Sequence, residues 1–286
     1  MRCLPLAMLG VMLPLCAQFR GQRALDSAQA LVGFGPRVSG SPAIARTQAY
    51  ILQQLKAAGW QAAADAFVAK TPAGPVPMKN LIARRTGSSG KLVVVSGHYD
   101  TKRFPFPFVG ANDGGSSAAV LLELARALKS IPLKNDVALV FFDGEEAVRD
   151  WTATDSVYGS RHLADKWMAD GTLDKVTALI NVDMVGDKDL HIVNEQYSSE
   201  PLRRVIWQVA AKLGYAKHFD GVELPVDDDH VPFLRKGVRA VDLIDFDYGP
   251  GHAWWHTQSD TMDKLSAASL QVVGSVVLET LKRLDP

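Results

Sequence analysis

VALVFFDGEE, Val137–Glu146, is six apolar residues followed by three acids within four positions. A run of this length with no alternation reads as a strand buried on both faces, which is the habit of parallel sheets. KLVVVS, Lys91–Ser96, has the same character and runs into GHYD, Gly97–Asp100. VTALINV, Val176–Val182, runs into DMVGD, Asp183–Asp187. Further strand-like runs are Leu81–Ala83, Leu190–Val193 and Val238–Ile244. Helical spacing separates them, over Ser116–Lys129, Ser156–Met168, Pro201–Leu213 and Ser266–Leu284. Strands alternating with helices predict an α/β fold, a central sheet with helices on both faces.

The chain opens with helical patterns over Ala24–Phe34 and Ser41–Ala58. Ser41 is placed as N-cap with Pro42 in the first turn, and Gly59 ends the second helix. TPAGPVPMKN, Thr71–Asn80, holds three prolines and reads as a turn or loop. No internal repeat or low-complexity linker divides the 286 residues, so a single domain is expected from about residue 24 to 286.

Lysine plus arginine balances aspartate plus glutamate, 31 each, which leaves no basic excess to attract nucleic acid and no polybasic run for a membrane surface. Residues 1–17 differ. One early charge, Arg2, precedes an apolar run from Cys3 to Ala17, a length that suits a signal peptide and is short for a membrane span. The alternative for this segment is a buried N-terminal helix. Cleavage after Ala17 predicts an exported protein that carries no further cysteine, since both cysteines, Cys3 and Cys16, lie in the segment. Any metal ion would then be held by His, Asp and Glu.

In α/β sheets, ligands bind beyond the carboxyl ends of the strands. There the sequence sets His98 and Asp100, then Asp143, Glu145 and Glu146, then Asp183, with Asp113 in the Gly-rich turn GANDGG and His256 in WWHT. Singly each has a bland explanation: Asp113 as a helix cap, the glutamates as a solvated loop. Together, carboxylates converging on one sheet edge repel unless a cation joins them. Asp, Glu and His without thiolate suit Zn²⁺ in an open site. The adjacent Glu145 and Glu146 cannot both point one way on a regular element. One is expected on the metal and the other on a proton. Asp100, two residues after His98, is placed to orient that imidazole from behind.

The ordered set GHYD, GANDGG, DGEE, NVDMVGD and WWHT resembles peptidase family M28, which includes zinc aminopeptidases and glutaminyl cyclases. The likeness runs from about Ala24 to the end and is nearest to the animal-type cyclases, in a bacterial-like form. Phe141–Trp167, HYDTK, DDHVPFLRKG (Asp228–Gly237) and Trp255–Thr257 carry it. The resemblance implies a three-layer sandwich with a mixed, mostly parallel sheet. It implies one Zn²⁺ on Asp113, Glu146 and His256, with Glu145 moving protons and Asp183 assisting. Asp228 would hold the departing amide nitrogen, and Trp151 and Trp255 would line a glutamine pocket. The implied activity is the conversion of N-terminal glutamine of peptides and proteins to pyroglutamate with release of ammonia. An M28 aminopeptidase stays open beside it, with His98 and Asp183 on a second metal ion and Glu145 activating water.

The chain departs from the animal pattern at three places. Gly97 stands where those enzymes have the first cysteine of a disulfide. Asp242, in AVDLI, stands where they have a histidine. Asp245–Ala253 is longer than its counterpart. RFPFPFV, Arg103–Val109, is a proline-stiffened apolar loop, expected as a pocket wall or an oligomer contact. A monomer is the expected state.

Overall fold

The computed structural model describes residues 18–285, so the expected signal peptide over 1–17 lies outside the described residues. Six strands form the main sheet: β1 (Gln61–Thr71), β2 (Gly74–Arg85), β3 (Leu92–His98), β4 (Asp136–Phe142), β5 (Val176–Asp183) and β8 (Ala240–Ile244). Their spatial order is β1-β2-β4-β3-β5-β8. The β1–β2 and β2–β4 pairs are antiparallel, whereas β4–β3, β3–β5 and β5–β8 are parallel. A small second ladder joins β6 (Asn194–Glu195) to β7 (Glu223–Leu224).

Alternation along the central strands divides the core. Val93 and Val95 of β3, Leu139 and Phe141 of β4, and Ile180 and Val182 of β5 face one large cluster. It takes in α1 (Gly21–Val32), α2 (Pro42–Ala57), α3 (Gly115–Ala127), α5 (Glu200–Lys212) and α7 (Ala267–Arg283). Leu92, Val94, Val140, Phe142 and Leu179 face the other side, against α4 (Tyr158–Ala169) and α6 (Val231–Leu234) through Leu163, Trp167 and Phe233. The fold is therefore a three-layer α/β sandwich. Each fully buried valine or leucine contributes roughly 1.5–3 kcal/mol, which is why the strands could be read as unbroken apolar runs. The helix starts follow their caps: Ser41 Oγ accepts the Ile44 N–H at 3.2 Å, and Ser266 Oγ accepts from Ala268 and Ser269. Among the described residues, no helix is long and apolar enough to cross a membrane.

Two expectations fail here. Thr71–Asn80 is no loop: it forms the turn and the first half of β2, paired residue by residue with β1. Pro75 and Pro77 stand two apart, so both lack their N–H on the same edge, and β4 pairs with β2 only from Leu81 onward. β1 itself is alanine-rich and gave no strand signal. In the run Leu190–Val193 all but His191 are buried, yet it forms no regular strand; single bonds, Ile192 N–H to His218 O and Val193 N–H to Ile244 O, hold it in place.

β3 leads through α3 to β4 on one side, while β5 leads to β8 on the other. Where the connections of neighbouring parallel strands lead to opposite sides, a crevice opens at their carboxyl ends. His98 ends β3 and Asp183 ends β5, so the crevice opens between these two residues.

Candidate active site

The loops beyond β3, β4 and β5 gather the acids and histidines into one buried group. Glu146 Oε1 lies 3.1 Å from His256 Nε2, and Asp113 Oδ2 lies 3.3 Å from the same nitrogen. Ligand atoms of these three residues fall within 4.8 Å of one another. On the far side of Asp113, His98 Nε2 sits 3.2 Å from Asp113 Oδ1 and 3.1 Å from Asp183 Oδ1. His98, Asp113 and Asp183 thus form a second group able to hold a metal ion, and Asp228, His230 and Asp242 a third. The adjacent glutamates part as expected. Glu146 faces His256, while Glu145 Oε2 lies 3.7 Å from His98 Nδ1.

Asp100 does more than stand behind His98, whose Nδ1 is 3.5 Å from its Oδ1. Its carboxylate accepts the backbone N–H of Glu145 at 3.2 Å and of Glu146 at 3.4 Å, fixing the turn that separates the two side chains. Asp113 is held through its backbone: Asp260 accepts the N–H groups of Asn112 and Asp113 at 2.8 and 3.1 Å. Beneath the turn, the fully buried Arg37 guanidinium donates to the carbonyls of Tyr99, Val109 and Gly110 at 2.8, 2.6 and 2.8 Å. It ties the chain after β3 to the chain before α3. Burial pulls the Arg37 pKa down to about 10 despite Asp260, Asp113 and Asp100 nearby. Gly114, at φ +73°, lets the backbone turn there; a side chain would meet Asp100 O at 2.5 Å.

Electrostatics reflect the crowding. Burial pushes Glu145 well above the usual carboxyl range, and Glu146, Asp228 and Asp229 add to it, while His98 opposes. Burial, then Asp183, raise Asp228 to about 6. For His256 burial works downward, yet Asp113 and Glu146 outweigh it and raise the imidazole to about 10. These acids demand positive charge at the position Nε2 faces, whether from a proton or a metal ion. Three N/O ligands with an open fourth side fit a catalytic rather than a structural zinc site.

That open side gives onto a cavity of about 340 Å³. Asp113, Glu145, Glu146, Asp183, Asp228 and His256 line its polar floor, and Trp151, Val226, Ile244, Phe246 and Trp255 its apolar walls. Trp255 stacks on the His256 ring at 4.2 Å and 18°, whereas Trp151 stands at the rim, 40% exposed. Of RFPFPFV, Phe104 and Phe108 meet the His256 ring in T-shaped pairs at 5.4 and 5.8 Å, while Arg103, Pro105 and Pro107 are exposed. His256 is thus boxed by three aromatic rings, with its backbone at φ +55°. Trp151 rides on a loop tied down by Asp155, whose carboxylate accepts the N–H groups of Val148, Arg149 and Asp150 at 2.8, 2.9 and 3.1 Å and the Tyr158 hydroxyl at 2.7 Å. Sequence reading missed Arg37, Asp155 and Asp260, which act through backbone bonds that leave no spacing signal. It did place Asp100, Asp113, Glu145, Glu146, Asp183, Asp228 and His256 together.

A sheet of this order with an Asp–Glu–His cluster beyond its central strands matches a known class: residues 80–281 fit the model of peptidase family M28, and the chain belongs to that family. It is 31% identical to a glutaminyl-peptide cyclotransferase of Drosophila melanogaster over 269 residues, spanning 85% of this chain and 75% of that protein. Two bacterial structures are also similar. A glutaminyl cyclase of an Acidobacteriales bacterium matches with TM-score 0.91 and 40% identity, over 98% of this chain and 99% of that one. The Porphyromonas gingivalis glutaminyl cyclase gives 0.86 and 30%, over 93% and 99%. These relatives are glutaminyl cyclases, and within the family the aminopeptidase alternative is the less supported of the two.

Proposed function

We propose that the protein is a zinc-dependent glutaminyl-peptide cyclotransferase. The observation that supports it most is the pairing, in one small tryptophan-flanked cavity, of the Asp113–Glu146–His256 cluster with two carboxyls of raised proton affinity, Glu145 and Asp228. Cyclisation needs one group to take a proton from the α-amine and return it to the leaving nitrogen, and it needs no water. In this reading Asp113, Glu146 and His256 hold one Zn²⁺, which when bound polarises the γ-carboxamide of the N-terminal glutamine.

Trp151 and Trp255 flank the glutamine side chain and hold it folded back on its own amine, so the attack is intramolecular and positioning supplies much of the rate. The α-nitrogen forms a bond to the γ-carboxamide carbon, and the bond from that carbon to its NH₂ breaks. Glu145 takes the amine proton and delivers it to the departing NH₂, which leaves as ammonia. Asp228 accepts a hydrogen bond from that nitrogen. Asp183, bonded to His98 and to Ser117 Oγ at 3.2 Å, braces the wall behind Asp113.

The substrates are peptides and proteins with N-terminal glutamine, met outside the cytoplasm if residues 1–17 direct export, by a monomer with one zinc per chain. Incubation with a Gln-Xaa peptide and, separately, with a leucine anilide tests this. Ammonia release with retention of the peptide bond, and one zinc per chain, are expected. Release of a free N-terminal residue with two zinc ions per chain refutes it in favour of an aminopeptidase.

A further inference from the structure

Asn181 interrupts the apolar interior of β5, between Ile180 and Val182. Its neighbours across the sheet, in register, are Ser96 of β3 and Asp242 of β8. All three are fully buried and stand on one face, so a polar row crosses three parallel strands beneath the cavity. Ser96 donates its hydroxyl to Asn181 Oδ1 at 2.8 Å. That bond decides which way the amide points. Asn181 Nδ2 faces two carboxyls, donating to Asp228 Oδ2 at 3.0 Å and to Asp242 Oδ1 at 3.1 Å. The reverse orientation would set a carbonyl oxygen against both acids. Asp242 is held from the other side too, its N–H donating to Ser198 Oγ at 3.0 Å, while its Oδ2 has no hydrogen-bond partner.

Two buried carboxyls that share one amide cannot both stay ionised without strong repulsion. Asp228 lines the cavity and Asp242 lies behind it, remote from solvent. We propose that Asn181 is a positioning residue of the active site: oriented by Ser96 and anchored on Asp242, its amide pins Asp228 in one rotamer, so that the Asp228 carboxyl meets the substrate nitrogen at a fixed place. The row thereby puts a hydrogen-bonding group at the strand position where the animal-type pattern has histidine. The inference rests on the cyclase reading in one respect, that Asp228 faces the substrate nitrogen.

Steady-state kinetics on the full zinc-loaded enzyme with a Gln-Xaa peptide tests it. Wild-type turnover tests the cyclase reading by itself, and the ratios among variants test the row. Asn181→Leu keeps the volume and removes the amide. It is expected to lower kcat about 10- to 100-fold, the span of a hydrogen bond to a charged group, with KM within about twofold and zinc content unchanged. Asp242→Leu does the same, and Asp242→Asn recovers most of that loss, because an amide oxygen can still accept the Asn181 N–H. An unchanged kcat in Asn181→Leu, or Asp242→Asn no better than Asp242→Leu, overturns the proposal. If Asn181→Leu does not fold, Ser96→Ala only frees the amide to turn, and a fall of a few-fold in kcat is expected; no fall refutes the row.

A structural readout needs no substrate. Asn181→Leu removes the amide that holds Asp228 Oδ2 at 3.0 Å, so in a crystal structure of the variant Asp228 is expected to leave its wild-type rotamer. An unmoved Asp228 overturns the proposal, whether or not the wild type cyclises glutamine.

Discussion

Replacing Asp155 by alanine should loosen the pocket rim without touching the chemistry. Its carboxylate gathers three loop amides and the Tyr158 hydroxyl within 2.7–3.1 Å. A hydrogen bond to a charged group is worth about 1.5–3 kcal/mol. Arg149 and Asp150 are exposed, so water replaces their two bonds cheaply, whereas those from Val148 and Tyr158 are lost nearly in full. That sets the total near 3–5 kcal/mol. The loop can open by itself, so global unfolding registers only part of it. A loss of about 2 kcal/mol lowers Tm by about 4–6 °C. The remainder emerges as a mobile Trp151, a several-fold rise in KM for Gln-Xaa peptides with a smaller change in kcat, and faster trypsin cleavage after Arg149. Burial would raise the Asp155 pKa, but the Tyr158 hydroxyl and the three amides outweigh it and hold the group below its ordinary value. Its stabilising contribution is therefore complete above the unfolded pKa of about 3.9 and disappears as pH falls through the lower folded value. The Tm gap between wild type and variant should be constant near neutrality and close below about pH 4. Unchanged trypsin sensitivity and KM in Asp155→Ala would refute this account of the rim.

Glu145→Gln should keep its zinc and lose about 10²- to 10⁴-fold in kcat, as removal of a proton-transfer group does; metal analysis showing loss of zinc would mean the two glutamates are assigned in reverse. Gly97→Ala places a Cβ 2.7 Å from Val182 O and 2.9 Å from Ser117 Cβ, where β3, β5 and α3 meet. It should cost about 1–3 kcal/mol in a denaturant titration, and no change would show that α3 can yield there. A strong zinc chelator should abolish turnover and lower Tm, with both restored by zinc; an unaffected Tm would separate the Asp113–Glu146–His256 cluster from metal binding.

How far the sequence could be read depended on where each signal lies. β3, β4 and β5 were legible because burial on both faces writes itself as an unbroken apolar run, and the acids beyond them because a strand's carboxyl end is where such groups collect. β1 was not legible: its alanines carry little strand preference, and it exists because β2 lies beside it. The prolines of β2 suggested a loop because their pattern alone does not tell an open edge from a bend. Leu190–Val193 has strand composition, yet its neighbours offer it only single bonds. Asn181 was hidden in VTALINV, where one polar letter reads as noise until Ser96 and Asp242 are found on either side. Trp151 and Asp228, expected in a pocket, both line the cavity, but Asp155, which fixes the loop carrying Trp151, acts through three backbone amides and one hydroxyl that no spacing announces.

The rim held by Asp155 bears on the timing of the reaction. An enzyme that closes a lid over its substrate spends part of each cycle opening and shutting, and solvent friction then enters its turnover. Here Trp151, proposed to meet the glutamine, rides on a loop braced by Asp155, and Trp255 stacks on His256. The mouth stands ready before the peptide arrives. In the proposed reaction the folding back then falls to the substrate's flexible N-terminus, inside a mouth shaped beforehand.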